Sequence, residues 1–215
     1  MQRTIVVLLG LVIPVGLYWF PVRRLFGRWG TTSTDLARPM PADGQITAPT
    51  YAATLAITVN APPARIWPWL VQMGYQRGGL YSYDWLDRLF GFLDRPSETR
   101  IRPEFQHLAP GDVIPVGRGP GFPVTAVDAG RSLVLGGSAD GMGWIWQLGL
   151  YPLDDSRTKL VSRNTARVPR SVSWWFFMRV LEPAAFLMTR RMLIGIKQRA
   201  EGPSDATGRS ARRAA

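Results

Sequence analysis

The sequence predicts an α+β fold in which one antiparallel sheet is crossed by a long C-terminal helix. Three observations carry this. Short runs of alternating apolar and polar residues, separated by turns, fill the stretch from Asp112 to Ala166. An apolar stripe at helical spacing comes next, from Val172 to about Arg199. A lone strand and two short helices precede both, between Thr50 and Phe90. At 215 residues and 46% hydrophobic, the chain has room for one ordinary domain with a real core, plus an appendage, and global disorder is excluded.

The appendage comes first. Thr4 to Val22 (TIVVLLGLVIPVGLYWFPV) carries no charge over 19 residues. As a helix it would span roughly 28 Å, close to the hydrocarbon thickness of a bilayer. Tyr18 and Trp19 lie near one end, where interfacial aromatics belong, and Pro14 predicts a kink. A cleaved signal peptide needs a small-residue site after the apolar run, but this run ends in Tyr-Trp-Phe-Pro-Val-Arg-Arg. All-round hydrophobicity fits lipid better than a buried core helix. Residues 1–25 are therefore expected to be a transmembrane anchor. Arg23, Arg24 and Arg28 lie after the span and Arg3 precedes it, so the positive-inside rule puts the remainder in the cytoplasm. A single-pass protein of the cell membrane is the expectation.

Residues 26–49, rich in Thr, Pro, Ala, Asp and Gly without periodicity, read as a linker. Thr50 to Val59 alternates and ends in β-branched residues, so it is a strand. Asn60-Ala61-Pro62-Pro63 turns into a helix that carries Ile66, Trp67, Leu70 and Val71 at helical spacing despite Pro68. Ser82 is placed to cap the next helix, along which lie Tyr83, Leu86, Leu89 and Phe90. Strands are then expected at Asp112–Val116, Phe122–Val127, Ser132–Leu135, Gly143–Leu153 and Thr158–Ala166. In the fourth of these, Trp144, Trp146, Leu148 and Leu150 share one face, opposite Ile145, Gln147, Gly149 and Tyr151. The last helix carries Phe177, Leu181, Ala184, Met188 and Ile194 in its stripe, and residues 202–215 form a disordered tail. A long helix lying across a curved sheet leaves a cavity between them.

Composition excludes whole classes of chemistry. No cysteine is present, which removes disulfides, thiol nucleophiles and iron–sulfur clusters. A single histidine excludes a multi-histidine metal site, and no cofactor is expected. The net charge of +11 sits at the two ends of the chain, while the centre is near neutral. A nucleic-acid interface needs a continuous basic stripe, so no nucleic-acid partner is expected.

Four strings carry a family resemblance: Ile57 to Gly74 (ITVNAPPARIWPWLVQMG), Arg77 to Leu86 (RGGLYSYDWL), Leu108 to Asp112 (LAPGD) and Met192 to Lys197 (MLIGIK). With the element order, residues 50–201 resemble the SRPBCC superfamily, whose START-like, helix-grip fold is shared by polyketide cyclases and lipid-transfer proteins. The second string is similar to a bacterial subgroup. The resemblance implies a sheet wrapped around the last helix and a deep apolar pocket for a lipid-like, polyketide-like or aromatic molecule. It implies no shared catalytic set, because members of the superfamily differ in activity.

Each candidate site residue has two readings. Tyr81, Tyr83, Asp84 and Trp85 border the cavity mouth and fix a polar ligand group, or they pack and cap locally. His107 is a general base by its ordinary pKa, or a surface residue. Weak catalytic candidates are thus His107 and Asp84; no G-x-S-x-G string supports a hydrolase triad. Trp144 and Trp146 line the pocket, or fill the core. Arg163 binds a ligand carboxylate, or reaches solvent. Gly117 to Gly121 opens no helix and reads as a hairpin turn rather than a phosphate loop. Trp174, Trp175 and Phe176 form an aromatic cluster that would touch a membrane interface, or pack on the sheet. The functional expectation is a membrane-anchored binder of a hydrophobic small molecule or lipid. The alternatives are a cyclase- or dehydratase-like enzyme, and a structural or regulatory membrane protein with a filled pocket.

Overall fold

Alternating strands separated by tight turns pair with their sequence neighbours, and that is how the sheet is built. The computed structural model describes residues 22–139, 142–169 and 171–203. Six antiparallel strands are present: β1 (Tyr51–Val59), β2 (Val113–Ile114), β3 (Phe122–Asp128), β4 (Ser132–Ala139), β5 (Met142–Pro152) and β6 (Thr158–Arg167). Their spatial order is β1-β6-β5-β4-β3-β2. Everything from β2 to β6 is therefore a meander, and β1 closes against the last strand. The helices are α1 (Ser33–Ala37), α2 (Pro63–Val71), α3 (Asp84–Leu89) and α4 (Val172–Glu201). The long α4 packs on β1 and α2. This is the helix-grip arrangement that the resemblance implies.

The core lies between α4, α2 and one face of the sheet, where Leu133, Leu148 and Leu160 meet Ile66, Leu193 and Ile196. These side chains are fully buried, each stabilising by about 1.5–3 kcal/mol through removal from water. Alternation in β5 sends Trp146, Leu148 and Leu150 to this inner face, and Ile145 and Gln147 to the outer one. Gly195 lets α4 approach closely, because a Cβ there would lie 2.2 Å from the backbone oxygen of Tyr81.

The outer face is also covered. Residues 26–49, expected to be a linker, run across it and are tied down. Met40, Ala42 and Ile46 are buried there against Ala56, Val134, Ile145 and Val161. Thr32 and Asp35 form a reciprocal cap on α1. Further upstream, the backbone oxygens of Gly27 and Trp29 accept from the amides of Thr54 and Ala56, so this stretch satisfies part of the β1 edge.

The membrane expectation is corrected here. Among the described residues no helix is long and apolar enough to cross a membrane. At 30 residues α4 has the length, but Arg179, Glu182, Arg190 and Arg191 interrupt it. The segment expected to span, Thr4 to Val22, lies outside the described residues except for Val22. The residues just beyond it fold onto the domain: residues 22–26 are helical, Arg23 makes two hydrogen bonds to the Glu182 carboxylate at 2.9 and 3.0 Å, and Phe26 stacks on Phe186. The transmembrane helix and the single-pass placement are therefore not supported. The interfacial role expected of Trp174, Trp175 and Phe176 falls with them. Trp174 is exposed and meets Phe177 edge-on, and the side chains of the other two lie outside the described set. Of the tail, residues 204–215 lie outside it as well.

Candidate functional site

A helix packed over a twisted sheet touches it closely at one end and stands off at the other. Here α4 is tight near Gly195 and open toward its N-terminal half. The gap is a cavity of ≈ 450 Å³. From the sheet it is walled by Phe122, Trp146 and Asn164, and from α4 by Leu181, Ala184, Met188 and Met192. The loops supply Leu80, Ser82, Phe92 and Val116. Phe90 and Phe177 also line it while remaining about half exposed, at 53% and 50%, so they mark the opening. A second hollow of ≈ 660 Å³ lies between residues 22–28, β1 and α4, and shares Asn164, Ala185 and Thr189 with the first. Its wall carries Arg23, Arg24, Arg28 and Glu182, whereas the first wall has no charged side chain. Both volumes suit a small molecule, and the uncharged, apolar wall makes the first the candidate site.

Its polar groups are few, and the Trp146, Asn164 and Ser82 side chains are oriented by neighbours. The indole N–H of Trp146 donates to Ser162 Oγ at 2.9 Å, and that of Trp144 donates to Asn164 Oδ1 at 3.0 Å. An indole is only a donor, so Asn164 must present its oxygen to Trp144. The amide Nδ2 keeps its two protons for another partner. Ser82 Oγ donates to Asp87 Oδ2 at 2.5 Å. Asp87 is fully buried, and its Oδ1 has no hydrogen-bond partner among the described residues. Burial pushes the Asp87 carboxyl up to about 6; the Ser82 bond opposes this and the Asp84 charge adds to it.

The residues singled out from sequence fall in different places. Trp146 is buried and lines the cavity. Trp144 sits on the same strand but packs on Tyr51 at the sheet edge. Tyr81 is buried in the core instead of at a mouth; its hydroxyl donates to the Trp69 carbonyl at 3.1 Å, and burial pushes its pKa upward. Tyr83 is half-buried beneath the Arg191 guanidinium, and Trp85 is exposed at 67%. Asp84 accepts from the backbone amide and hydroxyl of Ser97 at 3.1 and 2.7 Å, which pins the loop ahead of it. His107 is exposed and lines neither hollow.

Arg163 neither faces the cavity nor reaches solvent. Its position in β6, one residue out of phase with Ser162 and Asn164, turns it to the outer face. There it is buried and donates to Thr54 Oγ1, Asp43 Oδ2 and the backbone oxygens of Asp35, Leu36 and Arg38. It is the clamp that holds residues 35–43 on the sheet. A carboxylate-binding role would require breaking that set.

Sequence reasoning missed Ser82 and Asn164 as cavity groups, and Asp87 as the buried partner of Ser82. Ser82 reads as a helix cap, but α3 is preceded by Tyr83 and has no side-chain cap. Asn164 was findable: two residues from Ser162 and four from Leu160, it shares their face. Among the described residues no cluster of three or more His, Cys, Asp or Glu side chains is placed to hold a metal ion.

No protein-family model matches the chain, and no curated protein matches it. Among solved structures, it is similar to protein MLL2253 from Mesorhizobium loti at 14% identity and a TM-score of 0.42, covering 69% of this chain and 96% of that one. CalU16 from Micromonospora echinospora matches at 14% identity and a TM-score of 0.33, over 70% of this chain and 83% of that one. The Zhui aromatase/cyclase from a Streptomyces species matches at 14% identity and a TM-score of 0.34, over 70% and 93%. At such identities and scores no function transfers from these proteins.

Proposed function

We propose that the domain binds one hydrophobic small molecule in the cavity beneath the N-terminal half of α4. The observation that carries this is the hollow itself: ≈ 450 Å³, with an uncharged wall in which Ser82, Asn164 and Thr189 are the side chains able to hydrogen-bond, apart from the already engaged Trp146 indole. Affinity would come from apolar ligand surface leaving water, at roughly 25 cal/mol per Å² before the costs of association. The free amide protons of Asn164 offer a donor that would orient a ligand oxygen.

Binding without turnover is favoured over a cyclase- or dehydratase-like reaction. His107 is exposed and away from the cavity, and both oxygens of Asp84 are engaged by Ser97. Neither is placed to move a proton on a molecule held there. The reading with a pocket filled by its own side chains is opposed by the open volume.

Native mass spectrometry of the purified full chain tests the proposal. The expected spectrum shows one small-molecule adduct per chain, either retained from the host or acquired after incubation with pyrene. A chain that stays bare in both preparations contradicts the reading.

A further inference from the structure

The wall of the cavity contains a hydroxyl whose hydrogen-bonding polarity is set by a group behind it. Ser82 lines the cavity and is buried, and its Oγ lies 2.5 Å from Asp87 Oδ2. An ionised carboxylate has no proton to give, so the proton in this contact belongs to Ser82. With that proton engaged, Ser82 Oγ retains only lone pairs, and among the described residues no donor reaches them. The other carboxylate oxygen, Asp87 Oδ1, is buried without a hydrogen-bond partner. Ser82 Oγ therefore presents acceptor capacity at the end of the cavity formed by residues 80–92, with no donor among the described residues to meet it. A buried acceptor left unmet is unfavourable. That cost is recovered by a guest that brings a donor.

We propose that Ser82, held in acceptor polarity by buried Asp87, selects apolar ligands that carry a hydroxyl group. The proposal rests on the cavity being a ligand site and names the class of molecule it takes. A hydroxyl offers its proton to Ser82 Oγ. A methyl ether of the same skeleton offers only an acceptor, so two lone-pair-bearing oxygens would face each other. Asp87 acts through Ser82 and is a positioning residue.

The test uses three fluorescent probes of one skeleton, pyrene, 1-hydroxypyrene and 1-methoxypyrene, titrated into the full chain at pH 8. Asp87 is ionised at that pH, given its value of about 6. The expected order is hydroxypyrene tightest, by about tenfold over methoxypyrene, which is what one hydrogen bond of ordinary net strength supplies. In the double variant S82A/D87N, which leaves no bare carboxylate, the ratio of hydroxypyrene to methoxypyrene affinity should fall to near one. The conservative S82T should keep the preference. Equal affinities of hydroxypyrene and methoxypyrene in the unmodified chain overturn the inference and leave the cavity reading standing. Absence of binding by all three probes overturns both. The unmodified chain alone decides the matter if the double variant does not fold.

Discussion

Asp87 is the residue at which structure and chemistry pull against each other. A carboxyl with no exposed surface and a single hydrogen-bonded oxygen resists ionisation. Its folded value of about 6 lies above the ordinary 3.8, so between those values the folded state holds a proton that the unfolded state has released. Stability contributed by this group is then fullest at low pH, falls as pH rises from about 4 to about 6, and is level above. Asp87→Asn removes the titration and should raise stability at pH 7.5 on the order of 3 kcal/mol. Urea unfolding of both chains between pH 4 and pH 7.5 checks this: the gap between them should widen with pH, and parallel curves would refute the assignment. None of this was legible in the sequence, where Asp87 looks like any acid on an exposed helical turn. Its burial comes from tertiary packing that a local pattern does not carry, and the Ser82 hydroxyl meets one of its oxygens. Trp146 was legible, because strand alternation alone gives it the phase of Leu148 and Leu150.

At the scale of elements, α4 makes a close approach where it crosses the Tyr81 backbone. Tyr81 itself adopts a positive φ of 57°, and its hydroxyl is held by the Trp69 carbonyl, so the loop has little freedom to retreat. A methyl group at position 195 would push α4 away. Gly195→Ala should therefore cost about 1–3 kcal/mol, as overpacking of a filled core does. A lower urea midpoint with an unchanged slope is the expected result, and an unshifted midpoint would show that the contact yields freely. The strands could be read from the sequence because of the alternation in β5, and the long helix because apolar side chains recur at helical spacing over an uninterrupted stretch, although its amphipathicity over all 30 residues is weak. The covering segment 26–49 could not. Its three buried apolar side chains, Met40, Ala42 and Ile46, obey no period, and its anchorage comes largely from backbone oxygens that accept from Arg163, joined by the Asp43 carboxylate. Loop chemistry and sheet cover look alike when the contacts are made by the main chain. The N-terminal apolar stretch itself lies outside the described residues except for Val22. Hydropathy alone says what a segment would tolerate, whereas Arg23 and Phe26 immediately after it are partnered with Glu182 and Phe186 of α4.

Over the whole molecule, one sheet is covered on both faces by different means. The outer face is sealed by a strap held with polar contacts centred on Arg163. The inner face is sealed by α4, tightly near Gly195 and loosely toward Phe177. The unequal seal is what leaves room for a guest, and the residues bounding that room are mostly aliphatic, aromatic and methionine side chains, which adapt to shape. Ala184 is the smallest side chain that α4 presents to the cavity, equal with Ala185, so it is the position at which the space can be filled from within. The most direct measurement is a fluorescence titration of pyrene into the full chain and into Ala184→Trp, with urea unfolding of each as a control. Saturable binding at one site per chain, weakened about tenfold or more by the variant while its unfolding stays cooperative, is the predicted result. Equal affinity in the two well-folded chains would contradict it, because the molecule would then be bound somewhere other than beneath α4.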